Sequence, residues 1–191
     1  MSPSPTSQQK TDRTLNKSGL CRTAKSFATV KTLGLTSEQN EIESLGFTVV
    51  SKDFERPWGA FLVISEDEAQ DFANQFFDGI DVNTLRIGGK LSPKILIVKP
   101  GARLSWQYHH RRAEIWQVYQ GEVGIIRSDN DTEGEVMKFK EGEQVRLAQG
   151  ERHRLIGLED YGIVAEIWQH TDSTLSDEDD IVRVQDDFKR I

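Results

Sequence analysis

The chain has 191 residues, with 36% hydrophobic and 29% charged side chains, a net charge of −7 and a single cysteine. That is about one soluble domain with a core of its own. No apolar run is long enough for a membrane helix, Cys21 has no intramolecular partner for a disulfide, and the acidic balance argues against nucleic acid as a partner.

The charge is unevenly spread. Lys10, Arg13, Lys17, Arg22, Lys25 and Lys31 against Asp12 give residues 1–33 a local charge of +5, which leaves −12 for the remainder. This head is rich in Ser and Thr and nearly lacks long apolar residues, which reads as a flexible N-terminal tail. Basic, hydroxyl-rich and acid-poor character also suits an organelle transit peptide. The expected location is cytoplasmic, with organelle import if the tail is such a leader.

Residues 34–191 are expected to form one domain. Thr36–Gly46 reads as a short helix capped by Thr36 or Ser37 and stopped by Gly46. Phe47–Val50 is a strand, and the cluster Phe54-Glu-Arg-Pro-Trp-Gly59 a turn that leads into the strand Ala60–Ile64. Ser65-Glu-Asp-Glu68 has the form of a capping box. Behind it Ala69, Phe72, Ala73, Phe76 and Phe77 recur at helical spacing, the apolar stripe of an amphipathic helix ended by Asp78-Gly79. From Lys94 onward, short strands alternate with turns: 95–98, 104–108, 114–119, 122–127, 135–139, 144–147, 153–157 and 163–169. That spacing predicts an antiparallel sandwich or barrel. The tail 177–190 is too charged for a core strand and is expected to wrap the surface or cross a barrel mouth.

The chemistry concentrates between Gly101 and Gly121. Gln107 and His109 stand two apart on a strand and share a face. His110 follows them, and Glu114 can swing back from the next strand after a short basic turn. Such a hairpin collects donors for a divalent ion. A further ligand candidate, His153, opens a later strand just after the turn at Gly150.

Together these stretches resemble the two-part signature of the cupin barrel. The first part runs Gly101, five residues, Gln107, one residue, His109, four residues, Glu114, six residues, Gly121. The second runs Gly142, Ala148, Gly150, His153, Gly157. Gln107 replaces the usual first histidine, Ala148 a proline and Gly157 an asparagine. With Arg56-Pro-Trp-Gly59, Pro100-Gly-Ala-Arg-Leu-Ser105, Gln107-Tyr-His-His-Arg-Arg-Ala-Glu114, His153-Arg-Leu155, Asp179-Asp-Ile-Val-Arg183 and Asp186-Asp187, the chain resembles the type II phosphomannose isomerases. Those cupins also form the C-terminal domain of mannose-1-phosphate guanylyltransferases. The likeness spans about residues 54–190. Arg111 and Ile115 stand where the family commonly has histidines, and residues 65–92 are a helical insertion.

The resemblance implies an all-β cupin double-stranded β-helix, a jelly-roll-like barrel with short flanking helices. It implies one divalent metal ion, zinc first and manganese, cobalt or iron otherwise, on Gln107, His109, Glu114 and His153. The implied reaction interconverts an aldose phosphate and a ketose phosphate through a cis-enediol, with a sugar phosphate as small-molecule partner. His110, Arg112, Glu166 and Arg183 are the expected catalytic residues; His110, Glu166 or an acid of the tail would be the base. Arg56, Trp58, Arg103, Arg154 and Asp180 are expected to bind substrate, since guanidinium forks suit phosphate. Arg112, Arg183 and Arg190 are further candidates for the phosphate, and Lys99 a weaker one. Trp106, Trp116 and Trp168 are read as core or interface aromatics. A non-catalytic cupin that binds a sugar or sugar nucleotide is the alternative. A homodimer is a further expectation, because an exposed sheet edge invites pairing.

Overall fold

The computed structural model describes residues 34–171 and 178–189; the expectations for residues 1–33, and for Arg190, fall outside them. Among the described residues, eleven strands form two antiparallel sheets, with helices on the outside of one. In chain order they are α1 (Gly34–Ser44), β1 (Val49–Arg56), β2 (Gly59–Ile64), α2 (Ala69–Phe76), α3 (Val82–Leu85), β3 (Lys94–Val98), β4 (Trp106–His109) and β5 (Arg112–Gln120). Then come β6 (Glu122–Ser128), β7 (Met137–Lys140), β8 (Gln144–Leu147), β9 (Arg152–Gly157), β10 (Gly162–His170) and β11 (Ile181–Gln185). One sheet runs β1-β2-β3-β10-β5-β8 and the other β11-β4-β9-β6-β7. This is the expected cupin-type all-β barrel.

The central strands β3 and β10 of the six-stranded sheet are buried on both faces, and strand periodicity divides the sheet's residues between two cores. Leu96 and Val98 of β3, Trp116 and Val118 of β5 and Val164 of β10 belong to the cluster inside the barrel. Their neighbours Ile95, Ile97, Ile115, Ile163, Ala165 and Ile167 belong to a second cluster outside it. The insertion covers that outer face, where Phe72, Phe76 and Phe77 are at most 2% exposed. Phe72 stacks edge-on against Phe47 at 5.7 Å, and Phe76 against Tyr119 at 5.0 Å. Each such side chain withdrawn from water contributes about 1.5–3 kcal/mol, which fixes α2 against the sheet.

Several local expectations are corrected. Ser65 makes no side-chain cap, because Glu68 is recruited elsewhere and accepts hydrogen bonds from the backbone N–H and the hydroxyl of Thr48. Helix α1 starts at Gly34, ahead of Thr36 and Ser37. The Phe54–Gly59 cluster is mostly strand, since β1 runs on to Arg56 before turning. At that turn a Cβ on Gly59 would lie 1.8 Å from the Ile97 carbonyl oxygen, so only glycine fits. The acidic tail does not merely wrap the surface: Ile181–Gln185 adds an edge strand that pairs with β4.

Candidate functional site

Strands β4, β5 and β9 deliver the donors to the barrel interior. Gln107 and His109 share one face of β4, Gln107 lies directly across from His153 of β9, and Glu114 enters from β5. All are buried: Gln107 9% exposed, His109 and Glu114 2%, His153 1%. The Nε2 of His109 lies 3.0 Å from Glu114 Oε1, and the Nε2 of His153 lies 3.4 Å from Glu114 Oε2.

Both imidazoles are oriented by backbone carbonyls through their other nitrogen. His109 Nδ1 is 3.3 Å from the Asp180 carbonyl, and His153 Nδ1 is 2.9 Å from that of Glu151. A proton on each Nδ1 leaves the Nε2 lone pairs aimed at the carboxylate. Glu114 Oε2 and His153 Nε2 make no hydrogen bond although buried, a costly arrangement without a shared cation. The three ligand atoms lie within 4.8 Å of one another. Donors bound at about 2.1 Å to one ion stand about 3.0–3.4 Å apart, so the spacing fits a divalent metal. Gln107 Oε1 accepts a 2.6 Å hydrogen bond from Ser105, which fixes the amide beside the cluster.

Electrostatics favour the ionised carboxylate. Burial works to raise the Glu114 pKa, yet the neighbouring His109 and His153 bring it well below the ordinary value. Burial lowers the pKa of His109, which favours the neutral imidazole a metal requires.

A cavity opens beside the donors. Gln107 and Glu114 line it together with Arg56, Trp58, Lys94, Arg112, Glu166 and Arg183, and with Trp116 and Trp168. Four cations therefore face three acidic or amide groups inside a chain of net charge −7. Arg112, 1% exposed, donates from Nε to Glu114 Oε1 at 3.0 Å and stacks 3.7 Å from the centroid of the Trp168 ring. Glu166 accepts a 2.9 Å hydrogen bond from the Trp116 indole. Burial and the Glu114 charge push its carboxyl pKa up to about 8, against the pull of Lys94 and Arg112.

Other expected site residues stand elsewhere. His110 is exposed; it follows the last residue of β4, and its ring packs edge-on against Tyr108 at 5.1 Å. Asp180 accepts from the backbone N–H groups of His110 and Arg111, at 3.2 and 3.0 Å, and so clamps the turn between β4 and β5. Arg103 pairs with Asp187 at 2.5 Å. Arg154, wholly buried, alternates with His153 and pairs with Glu133 instead. Lys99 reaches the Arg56 carbonyl at 3.5 Å. None of these five lines the cavity.

Lys94 and Ser105 were not anticipated. Lys94 opens its strand, a position that ordinarily reaches solvent, and is nevertheless 7% exposed. Its signal was the two-residue spacing to Leu96 and Val98, which assigns it to the barrel face. Trp116 and Trp168, read as core aromatics, also form cavity wall.

The departures at Ile115, Arg111 and Gly157 lie outside the cavity lining. Ile115 points away from it into the outer core, where the insertion supplies its packing. Arg111 pairs with Asp179 at 3.3 Å. Gly157 answers to backbone crowding, since a Cβ there would stand 1.9 Å from the Lys99 carbonyl oxygen.

Residues 66–186 match the profile of the family described as mannose-6-phosphate isomerase C-terminal. Among curated proteins, the xanthan biosynthesis protein XanB of Xanthomonas campestris is 33% identical over 136 residues, covering 71% of this chain and 23% of its own. The alginate biosynthesis protein AlgA of Pseudomonas putida is 30% identical over 164 residues, covering 84% and 26%. Mannose-1-phosphate guanylyltransferase ManC of Salmonella typhimurium is 30% identical over 137 residues, covering 71% and 22%. The chain thus spans about a quarter of the length of these relatives. Among solved structures, a mutant of Bacillus subtilis oxalate decarboxylase OxdC superposes with a TM-score of 0.50 at 15% identity, covering 70% of this chain and 30% of that one; this is a likeness of fold. Barrel, donor cluster and family match agree: the chain belongs to the mannose-6-phosphate isomerase C-terminal family of cupins.

Proposed function

We propose that this protein is a metal-dependent isomerase that interconverts an aldose phosphate and a ketose phosphate, of the mannose 6-phosphate and fructose 6-phosphate type. The observation that carries the reading is one cavity beside the His-His-Glu cluster, lined by Gln107 and Glu114 of the donor set, by four cations and by Glu166, a buried carboxyl with a pKa of about 8. An aldose–ketose isomerisation requires such a set: charge near the sugar oxygens, a proton acceptor near the carbon, and cations for the phosphate.

Gln107, His109, Glu114 and His153 would hold the ion, and a divalent metal of zinc, manganese, cobalt or iron type would supply positive charge to the oxygen that gains electrons. Glu166 moves the proton between the two carbons. Its raised pKa suits proton transfer near neutral pH, and the Trp116 indole fixes one of its oxygens. Arg112 neutralises charge from beneath, clasped between Glu114 and the Trp168 face. Arg56 and Arg183, half-exposed on the cavity wall, hold the phosphate.

The test incubates protein loaded with Zn²⁺, Mn²⁺, Co²⁺ or Fe²⁺ with mannose 6-phosphate and follows fructose 6-phosphate. Turnover that disappears with chelation is the expected result. Tight sugar binding without turnover of any aldose phosphate would refute the reading in favour of a binding cupin.

A further inference from the structure

Asp180 ties the C-terminal segment to the strand that carries Gln107 and His109. It is 4% exposed and stands just before β11, which pairs with β4 so that Ile181 lies opposite His109 and Arg183 opposite Gln107. Strand β4 has four residues. Its pairing with β9 joins Gln107 to His153, so its longer ladder is the one to β11. At the end of that ladder Asp180 grips the chain at His109 through both its main chain and its side chain. Its carbonyl oxygen stands 3.3 Å from His109 Nδ1. Its carboxylate accepts from the backbone N–H of His110 on one oxygen, at 3.2 Å, and from that of Arg111 on the other, at 3.0 Å. The Arg111 Nε lies 3.8 Å from the same carboxylate. Buried bonds from N–H groups to a carboxylate are charge-assisted and strong. They fix the main chain that follows His109, while the carbonyl orients the ring.

We propose that Asp180 is a positioning residue for the metal: it holds His109 in place at the donor cluster, so that docking of the C-terminal segment and binding of the ion reinforce each other. The proposal rests on the metal-ligand part of the reading above and is independent of the reaction. A ring already held through its other nitrogen does not have to be ordered when the ion arrives, which raises affinity. The neighbouring Asp179 supplies the contrast. Its side chain carries the same charge but is 73% exposed, and it pairs with the Arg111 guanidinium at 3.3 Å. Losing a surface charge is thus separable from losing the clamp. Linkage is also reciprocal: if Asp180 favours the metal, the metal must strengthen the hydrogen bonds that Asp180 accepts. A clamp that served the fold alone would not respond to the ion.

The test titrates the metal-free full chain with Zn²⁺ against a chromophoric chelator, with no sugar present. Asp180→Ala is expected to weaken zinc binding by about tenfold or more, and Asp179→Ala by less than about twofold. Asp180→Asn keeps the size of the side chain and one acceptor oxygen, and serves the same comparison if the alanine variant does not fold. Hydrogen exchange followed by NMR supplies the second readout. In the wild type, saturating zinc should slow exchange of the His110 and Arg111 N–H groups by about tenfold, and the Asp180 variant should lack that response. Zinc affinity unchanged in a folded Asp180 variant, an equal loss in Asp179→Ala, or exchange at His110 and Arg111 indifferent to zinc overturns the proposal. Wild-type protein that binds no zinc overturns it together with the metal reading. Zinc bound and lost as expected, in a protein that turns over no aldose phosphate, keeps the role of Asp180 and removes the isomerase reading.

Discussion

Ile115 offers a sharp test of how the barrel wall is built. Relatives commonly carry histidine there, so Ile115→His would look like a return to the family pattern. In this protein the side chain is 1% exposed and lies in the outer core, directly across from Ile167, with Phe72 and Leu62 in the same cluster. Removing isoleucine forfeits about 1.5–3 kcal/mol of apolar burial. An imidazole without a partner in that cluster adds about 1–3 kcal/mol. The sum, about 2.5–6 kcal/mol, is a large share of the roughly 5–15 kcal/mol that holds a domain folded. With a urea dependence of about 2 kcal/mol per molar, the unfolding midpoint should fall by roughly 1.3–3 M. The loss should deepen below about pH 6.5, where the unfolded histidine gains a proton that the buried one resists. Metal content should remain that of the wild type, because the side chain points away from the donors. An unchanged midpoint would refute the placement of Ile115 and the role given to the insertion.

Elemental analysis after purification should find metal lost in His109→Ala and in His153→Ala but retained in His110→Ala; equal content in all three variants contradicts the ligand assignment. Gly157→Asn, another return to the family pattern, should lower the thermal midpoint because its Cβ would meet the Lys99 carbonyl at 1.9 Å, and a neutral result would mean that this approach relaxes freely. The pH profile of metal-free stability should carry the mark of Glu166. Its folded pKa of about 8 lies above the unfolded value near 4.5, so its contribution is fully present below about 4.5 and is lost as the pH rises through about 8. Glu166→Gln should therefore flatten the decline of the thermal midpoint across that window, whereas parallel curves would show that the carboxyl is not perturbed.

The legible part of this protein is the part that repeats. Strands from Lys94 onward announce themselves by alternation and by glycine turns, and the donors Gln107, His109, Glu114 and His153 keep spacings that strand geometry can bring together. What escaped depends on contacts between distant segments. Ser65 has the form of a cap, but Glu68 found Thr48, twenty residues away. Lys94 reads as a strand-end lysine until β10 places Glu166 opposite it. His110 and His109 are neighbours with the same chemistry, and only the end of β4 separates a buried imidazole of the donor cluster from an exposed ring. Arg154 is the same lesson one strand over, since alternation beside His153 sends it to Glu133. The tail sequence 177–190 was judged by its charge, yet an edge strand tolerates charged residues when one side stays wet, and Arg183 reaches the cavity from it.

The central claim is that the barrel interior moves a proton between adjacent carbons of a phosphorylated sugar. Its most direct test is a proton NMR time course of mannose 6-phosphate with the zinc-loaded protein, run beside Glu166→Gln and a chelated control. The account predicts that the anomeric signal of mannose 6-phosphate declines as fructose 6-phosphate signals rise, and that both controls stay silent. A spectrum that never changes with the wild-type protein, while titration shows the sugar bound, would contradict it.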